Sequence, residues 1–443
     1  MRNFFFICFS LVLGTLGYTQ EPPRTFTLEE AIAYALENNY SAINANRELI
    51  DAQKQKWETI ASGLPQIEGT INYQNQLKQP VTQIPAEFFG GEPGTFQEVV
   101  FGQAQQATAT ATLRQQIFDG SYIVGVQATR AFISFSANNK EKTDQDVRLA
   151  VVEAYGNVLL AKENVAILEN NKATLEKNLF ETQKIFENGL GDEESVEQLQ
   201  ITLSQIDNQL KNGIRLKGIT RQMLNLVMGL PIDSPTEPIE NLDALAQQQI
   251  DLGLLDTTLN IENNVDYKLA YNLNEQRFFE LKLAKSRALP TLNAFVNYGA
   301  SAFSDNFDFL SNQTWFESSV LGFDLKIPIF SSLGRSASTQ RAKIALEQAK
   351  TQLSEATESI RLQLERAKSD YTLSIEQYET AKANLDLAER IEKKNQIKYF
   401  EGIATSFELR QAQTQLYSTQ QEYLQSMVDV INRKTEVETI LNN

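Results

Sequence analysis

Two stretches of this chain spell the same unit. Leu36 to Tyr40 (LENNY) returns as Ile261 to Val265 (IENNV), Leu64-Pro65 returns as Leu289-Pro290, and Asn72-Tyr73 returns as Asn297-Tyr298, all at an offset of 225 residues. A common offset over three separated landmarks means that the fold is one unit built twice. Further on, Phe118 matches Phe330 and Gly189 matches Gly402, at offsets of 212 and 213. The register therefore changes between Tyr73 and Phe118, and the first copy carries a longer connection, Leu77 to Gln105. Its prolines and glycines before Thr95 predict an irregular loop rather than a hidden element.

Each Leu-Pro is followed by strict alternation. Ile67, Gly69, Ile71 and Tyr73 oppose Gln66, Glu68, Thr70, Asn72 and Gln74; Ala107, Ala109, Ala111 and Leu113 oppose Thr108, Thr110, Thr112 and Arg114. In the second copy Leu292, Ala294, Val296 and Tyr298 oppose Thr291, Asn293 and Asn297, and Leu321, Phe323, Leu325, Ile327 and Ile329 oppose Gly322, Asp324 and Lys326. Strands are expected at about 65–76, 106–118, 290–300 and 318–330. About ten residues with one apolar and one polar face is the pattern of a transmembrane barrel, wet inside and greasy outside, although a soluble sheet edge alternates too. The lumen-facing set would include Thr70, Asn72, Thr110, Arg114, Asn293, Asn297, Asp324 and Lys326. The smallest membrane barrels have about eight strands, so four per chain require several chains to share one barrel.

The rest reads as helix. Pro65 and Pro290 end helices, because proline cannot extend the hydrogen-bond ladder and biases its predecessor to extended backbone; Pro328 marks the passage out of the fourth strand, where the second strand has Gln116 and a gentler bend is expected. Ser121 to Asn188 and Arg335 to Glu401 contain no proline and carry apolar residues at steps of three and four, the pattern of coiled-coil packing. At 1.5 Å per residue each would run roughly 100 Å, which suits a bridge better than a globular domain. Shorter returning helices are expected at about Glu193 to Met228 and Ser406 to Leu441. The first helix opens with Thr27-Leu28-Glu29-Glu30, which has capping-box spacing.

Composition narrows the chemistry. The formal charge of -16 disfavours nucleic acid, and no histidine occurs, which removes the commonest general base and metal ligand. No enzyme activity and no cofactor is expected, since the carboxylates fall at helical spacing among Lys, Gln and Asn. Residues 1–19 have the layout of a secretory signal peptide, with cleavage before Gln20. Cys8 is the one cysteine and follows bulky Phe6 and Ile7, so a lipoprotein signal is not expected. The chain divides into this segment, a first repeat (20–230), a linker or equatorial segment (231–256) and a second repeat (257–443).

FTLEEAIAYALENNYSA, starting at Phe26, resembles the opening signature of the TolC-like outer membrane efflux proteins, and EGIATSFELRQAQTQLYS, starting at Glu401, resembles their periplasmic helix-turn-helix tip. The duplication and the Leu-Pro strand entries agree, so the resemblance covers essentially the whole mature chain. It implies a mainly α fold with a membrane β-barrel portion: internally duplicated long antiparallel helices forming an α-barrel, and four transmembrane strands per chain. A homotrimer would close a twelve-stranded barrel in the outer membrane of a Gram-negative-type bacterium, continued by a tunnel into the periplasm. Its partners would be outer membrane lipid, a periplasmic adaptor protein and an inner-membrane transporter, with passive efflux as the activity. A duct for type I protein secretion uses the same architecture, and a non-conducting spacer or adhesin is the reading from another class. Gly189, Leu190, Gly402, Ile403, Thr405 and Ser406 would form the adaptor-docking tips. The acids Asp192, Glu193 and Glu194 depart from the usual first tip, and favour the start of a helix through its dipole. The family narrows its tunnel near the tips; here the apolar stripe lapses at Glu392 and Asn395, which places those positions as candidates for the aperture.

Overall fold

The computed structural model describes residues 24–311 and 313–442; the signal-peptide expectation for 1–19 lies outside them. In chain order the elements are β1 (Arg24–Phe26), α1 (Leu28–Asn38), α2 (Tyr40–Ala61), β2 (Gln66–Asn75), β3 (Val81–Pro85), β4 (Phe96–Val100), β5 (Gln105–Asp119), α3 (Gly120–Glu187) and α4 (Glu193–Met228). There follow β6 (Thr236–Pro238), α5 (Leu242–Gln248), α6 (Gly253–Asp256), α7 (Val265–Ser286), β7 (Thr291–Ser304), β8 (Phe316–Lys326), α8 (Gly334–Phe400) and α9 (Ser406–Leu441). The long helices have 68 and 67 residues, and both returning helices have 36. No described helix is long and apolar enough to cross a membrane.

The chain falls into two compact units. The first comprises the described residues of Met1–Asn44, Thr143–Leu259 and Leu362–Asn443. Its core joins one face of α1 (Leu28, Ala31, Ala35) to Val151, Tyr155 and Leu159 of α3, Leu224 and Met228 of α4, Leu242 and Leu245 of α5, and Val430, Ile431 and Val437 of α9. The capping box at Thr27 is formed: its hydroxyl accepts from the Glu30 amide at 3.2 Å and the Glu30 carboxylate accepts from the Thr27 amide at 2.9 Å. The second asparagine of each Asn-Asn pair has the same task in both copies. Asn39 Oδ1 accepts from the Ser41 amide at 2.7 Å, and Asn264 Oδ1 accepts from Asp266 and Tyr267 at 3.0 and 3.2 Å, which satisfies free N–H groups at the starts of α2 and α7. Asn39 also donates to the Val227 carbonyl at 2.6 Å, tying α1 to the end of α4.

Helix-borne tyrosines hold the short elements between the repeats. Tyr155 donates to Glu240 at 2.5 Å, Tyr371 donates to the Gln249 carbonyl at 2.7 Å, and Tyr378 and Tyr423 both donate to Asp243 Oδ1, at 3.0 and 2.6 Å. The last two rings stack with centroids 5.7 Å apart. Burial pushes the Asp243 carboxyl up, but hydrogen bonds from Tyr423, Tyr378 and Gln247 outweigh it and the pKa ends below the usual carboxylate range. Asp243 therefore stabilises the fold fully above its ordinary pKa of about 3.9, and that contribution is lost as pH falls through the depressed value. Asp243→Ala is expected to cost about 1–3 kcal/mol at neutral pH, because two tyrosine hydroxyls lose their acceptor. The loss should shrink in acid, as urea midpoints measured across that range would show.

The second unit, Ala45–Lys142 and Asn260–Arg361, carries the sheet. Its four strands run in the order β2-β5-β7-β8, every pair antiparallel. Each copy supplies one hairpin, and the two join through β5 and β7. β2 enters where Gly63 lets the Tyr122 ring lie against the backbone; the Tyr122 hydroxyl donates to Ile60 O at 3.0 Å and Gln115 donates to Gly63 O at 2.9 Å.

Three expectations need correction. Leu77 to Gln105 is not wholly irregular: β3 and β4 pair antiparallel, from Val81 with Val100 to Pro85 with Phe96. The prolines and glycines cluster at its ends and in its turn, where Gly90 and Gly94 take positive φ, and so masked two short strands. β7 continues to Ser304, four residues beyond the expected end. β8 stops at Lys326, so Ile327, Pro328 and Ile329 lie in the passage to α8. Proline removes a ladder donor there, and Arg335 instead binds the Pro328 carbonyl at 2.7 Å, while Ser332 and Leu333 turn the chain with positive φ. In the first copy β5 meets α3 directly, and Asp119 caps it through the Ser121 amide at 2.6 Å.

Candidate functional site

The strand register aligns all four alternations. Ile67 faces Leu113, Leu113 faces Val296 and Val296 faces Leu321, so an apolar row crosses the whole sheet. Gln115, Ala294 and Phe323 form the next row on that face, and Phe118, Leu292 and Leu325 the one after. The opposite face carries Thr70 with Thr110, Asn72 with Thr108, Gln66 with Arg114, Thr112 with Asn297, Asn293 with Asp324, and Thr291 with Lys326. All eight residues expected to face a lumen thus share one face. Phe295, Phe303, Phe316 and Val320 are apolar residues on that face, and the Phe295 ring covers the backbone of Gly322. In the single chain Ile71 is 83% exposed and Leu321 67%, and among the described residues the outer edges of β2 and β8 have no partner strand.

In the first unit, two helical hairpins turn. Gly189 and Gly402 have φ of +72° and +75°, the left-handed backbone that ends a helix, and Leu190 and Ile403 send their amides back to Ile185 and Lys398 at 3.0 and 2.8 Å. Thr405 caps α9 in a capping box with Glu408, whose carboxylate is held down by the Thr405 amide and hydroxyl. Asp192 caps α4 through the Ser195 amide at 2.6 Å, and that bond holds its pKa down. The acid run at the first tip therefore has a structural task. Leu190 and Ile403 remain exposed, at 81% and 71%.

The two hairpins meet near these turns through uncharged groups. Asn171 donates to Gln420 at 2.9 Å, Gln396 to Asn178 at 2.9 Å and Ser406 to Gln198 at 3.3 Å, while Thr182 and Tyr399 hydroxyls lie 3.2 Å apart. Within the first hairpin the contact is ionic instead: Lys172 and Lys211 bond Asp207 and pull its pKa down to about 2.

Residues 261–443 match the family model described as Outer membrane efflux protein. The outer membrane protein TolC of Vibrio cholerae is 25% identical over 268 residues, which are 57% of this chain and 58% of that protein. The matched region thus spans less than two thirds of that relative. Two solved structures share the fold nearly end to end. The outer membrane protein VceC of Vibrio cholerae has a TM-score of 0.71 at 14% identity, covering 94% of this chain and 96% of that one. The Campylobacter jejuni CmeC outer membrane channel has a TM-score of 0.72 at 17% identity, covering 100% of this chain and 93% of that one. The chain thus shares the fold of these outer membrane channels, and its residues 261–443 carry the match to the efflux-protein family.

In this chain the two aperture candidates are half-buried. Glu392 lies beside Gln413 and Tyr417 of α9; burial raises its pKa, and the Gln413 amide opposes that rise. Asn395 donates to the carbonyl of Ile391 in its own helix at 3.0 Å. Asp243 and Glu240 do not stand out in the sequence, and Tyr378 and Tyr423 show there only as positions of the apolar helical stripes. Nothing in their local spacing marks them, since the partners lie in different helices.

Proposed function

We propose that this chain is the outer membrane duct of a tripartite efflux system and that it works as a homotrimer. The observation that carries the reading is the open four-stranded sheet, with one apolar face, one polar face and two unpaired edges. Unpaired backbone groups are not tolerated in hydrocarbon, so the β2 and β8 edges need partners, and three copies would close twelve strands. The apolar rows would then meet lipid and the polar rows would line a water-filled lumen. The long helical hairpins supply the reach through the periplasm. No catalytic step is proposed, and transport is passive through the lumen.

The exposed apolar tips, Leu190 and Ile403 with Gly189, Gly402, Thr405 and Ser406, are proposed as the surface that meets the periplasmic adaptor. The adaptor in turn would link the duct to an inner-membrane transporter. Glu392 and Asn395 are proposed to border the narrowest part of the tunnel. Purified protein in planar bilayers should conduct as a trimer; a monomer, or an oligomer that never conducts, would overturn the duct. A photo-crosslinker at Leu190 or Ile403 in cells should trap a periplasmic protein about the size of an adaptor. Crosslinking equal to that from Leu216, an exposed residue of mid-α4, would refute the tip assignment.

A further inference from the structure

One cavity in the first unit combines cationic side chains with buried polar groups that lack a partner. It encloses about 370 Å³ and is walled by α3, α4 and β6. Two of its lining residues, Arg221 and Thr236, each hold a buried polar atom, Nε and Oγ1, without a hydrogen-bond partner. Thr236 is only 1% exposed. Both groups can donate, and the guanidinium can do nothing else. Buried donors normally find an acceptor, so a pair left open on one cavity wall describes the complement of an acceptor-rich guest.

The charges agree. Lys162 and Lys217 line the same cavity from exposed positions, and among the described residues neither they nor Arg221 forms an ion pair. Three unpaired cations around one cavity are notable where the whole chain carries -16. Gly218 completes the α4 wall, and a Cβ built on it would meet no atom within 4 Å, so the space beside it is open. Glu237, exposed on β6, is the one carboxylate in the lining. We propose that this cavity is a binding site for a small oxyanion, a ligand presenting a phosphate or carboxylate group. Arg221 and Thr236 donate to its oxygens, the two lysines supply the field, and Glu237 keeps the affinity moderate.

Calorimetric titration of the detergent-solubilised full-length oligomer with inorganic phosphate and, separately, with citrate at low chloride tests this. Saturable binding is expected for at least one of them, and which one binds separates a phosphate ligand from a carboxylate ligand. Arg221→Gln and Thr236→Val should each weaken it by about tenfold or more, the usual effect of losing a charge-assisted hydrogen bond. Glu237→Gln should tighten it. Gly218→Leu should abolish it by filling the cavity while leaving every charge in place, and so carries the test if Arg221→Gln does not assemble. Absence of saturable binding by wild type to either anion, or binding undiminished in Gly218→Leu, would overturn the proposal.

Discussion

Val296→Arg is expected to prevent formation of a heat-resistant oligomer, while Asn297→Arg one position along should assemble normally and change single-channel conductance. Val296 lies between Leu113 and Leu321, with Ile67 completing the row. If that row meets hydrocarbon, arginine near the bilayer midplane costs about 2–4 kcal/mol in every copy of the chain. Asn297 pairs with Thr112 on the other face, where water would solvate the guanidinium. Gel migration of unheated samples reads assembly, and planar-bilayer recording reads the lumen. Equal behaviour of the two variants would dispose of the barrel, since a membrane barrel requires its two faces to differ.

Gly229→Ala should destabilise the first unit by about 2–4 kcal/mol, read as a shifted urea midpoint. Gly229 ends α4 with φ of +76°, and a Cβ there would overlap the backbone carbonyl of Asn38. Backbone cannot swing aside like a side chain. α1 would have to retreat, and the 2.6 Å bond from Asn39 to Val227 would go with it. Gly189→Ala is the control: its φ is also positive, but a Cβ there meets nothing within 4 Å. Only the left-handed backbone cost of about 1–2 kcal/mol applies. A Gly229→Ala variant as stable as Gly189→Ala would show that α1 packs less tightly on α4 than described.

Patterns that repeat along the chain were legible from sequence, and those that depend on meetings across it were not. The returning helices start and stop at Glu193–Met228 and Ser406–Leu441 as read, because acid or hydroxyl caps precede them and the apolar period is unbroken. The strand faces were legible because lipid and water would act on alternate residues. The β3–β4 hairpin was missed because five-residue strands are too short to establish a period amid proline and glycine. Asn39 and Asn264 were noticed as repeated letters, but their capping task needed the structure. The Asp243 acceptor could not be read, since Tyr378 and Tyr423 reach it from α8 and α9. Likewise Glu392 showed only as a lapse in a stripe, and its neighbours Gln413 and Tyr417 come from the next helix.

The uncharged contacts between the hairpins have a consequence for how this end of the protein responds to its surroundings. Each amide or hydroxyl pair contributes only about 0.5–1.5 kcal/mol net, because water offers nearly equivalent bonds when the pair parts. Ion pairs would instead weaken with salt, as their screening length shrinks. A seam of Asn171, Asn178, Thr182 and Gln198 with their partners is thus a fastening of many weak, exchangeable clasps. It can be undone one clasp at a time, and it holds equally well in dilute and in briny water.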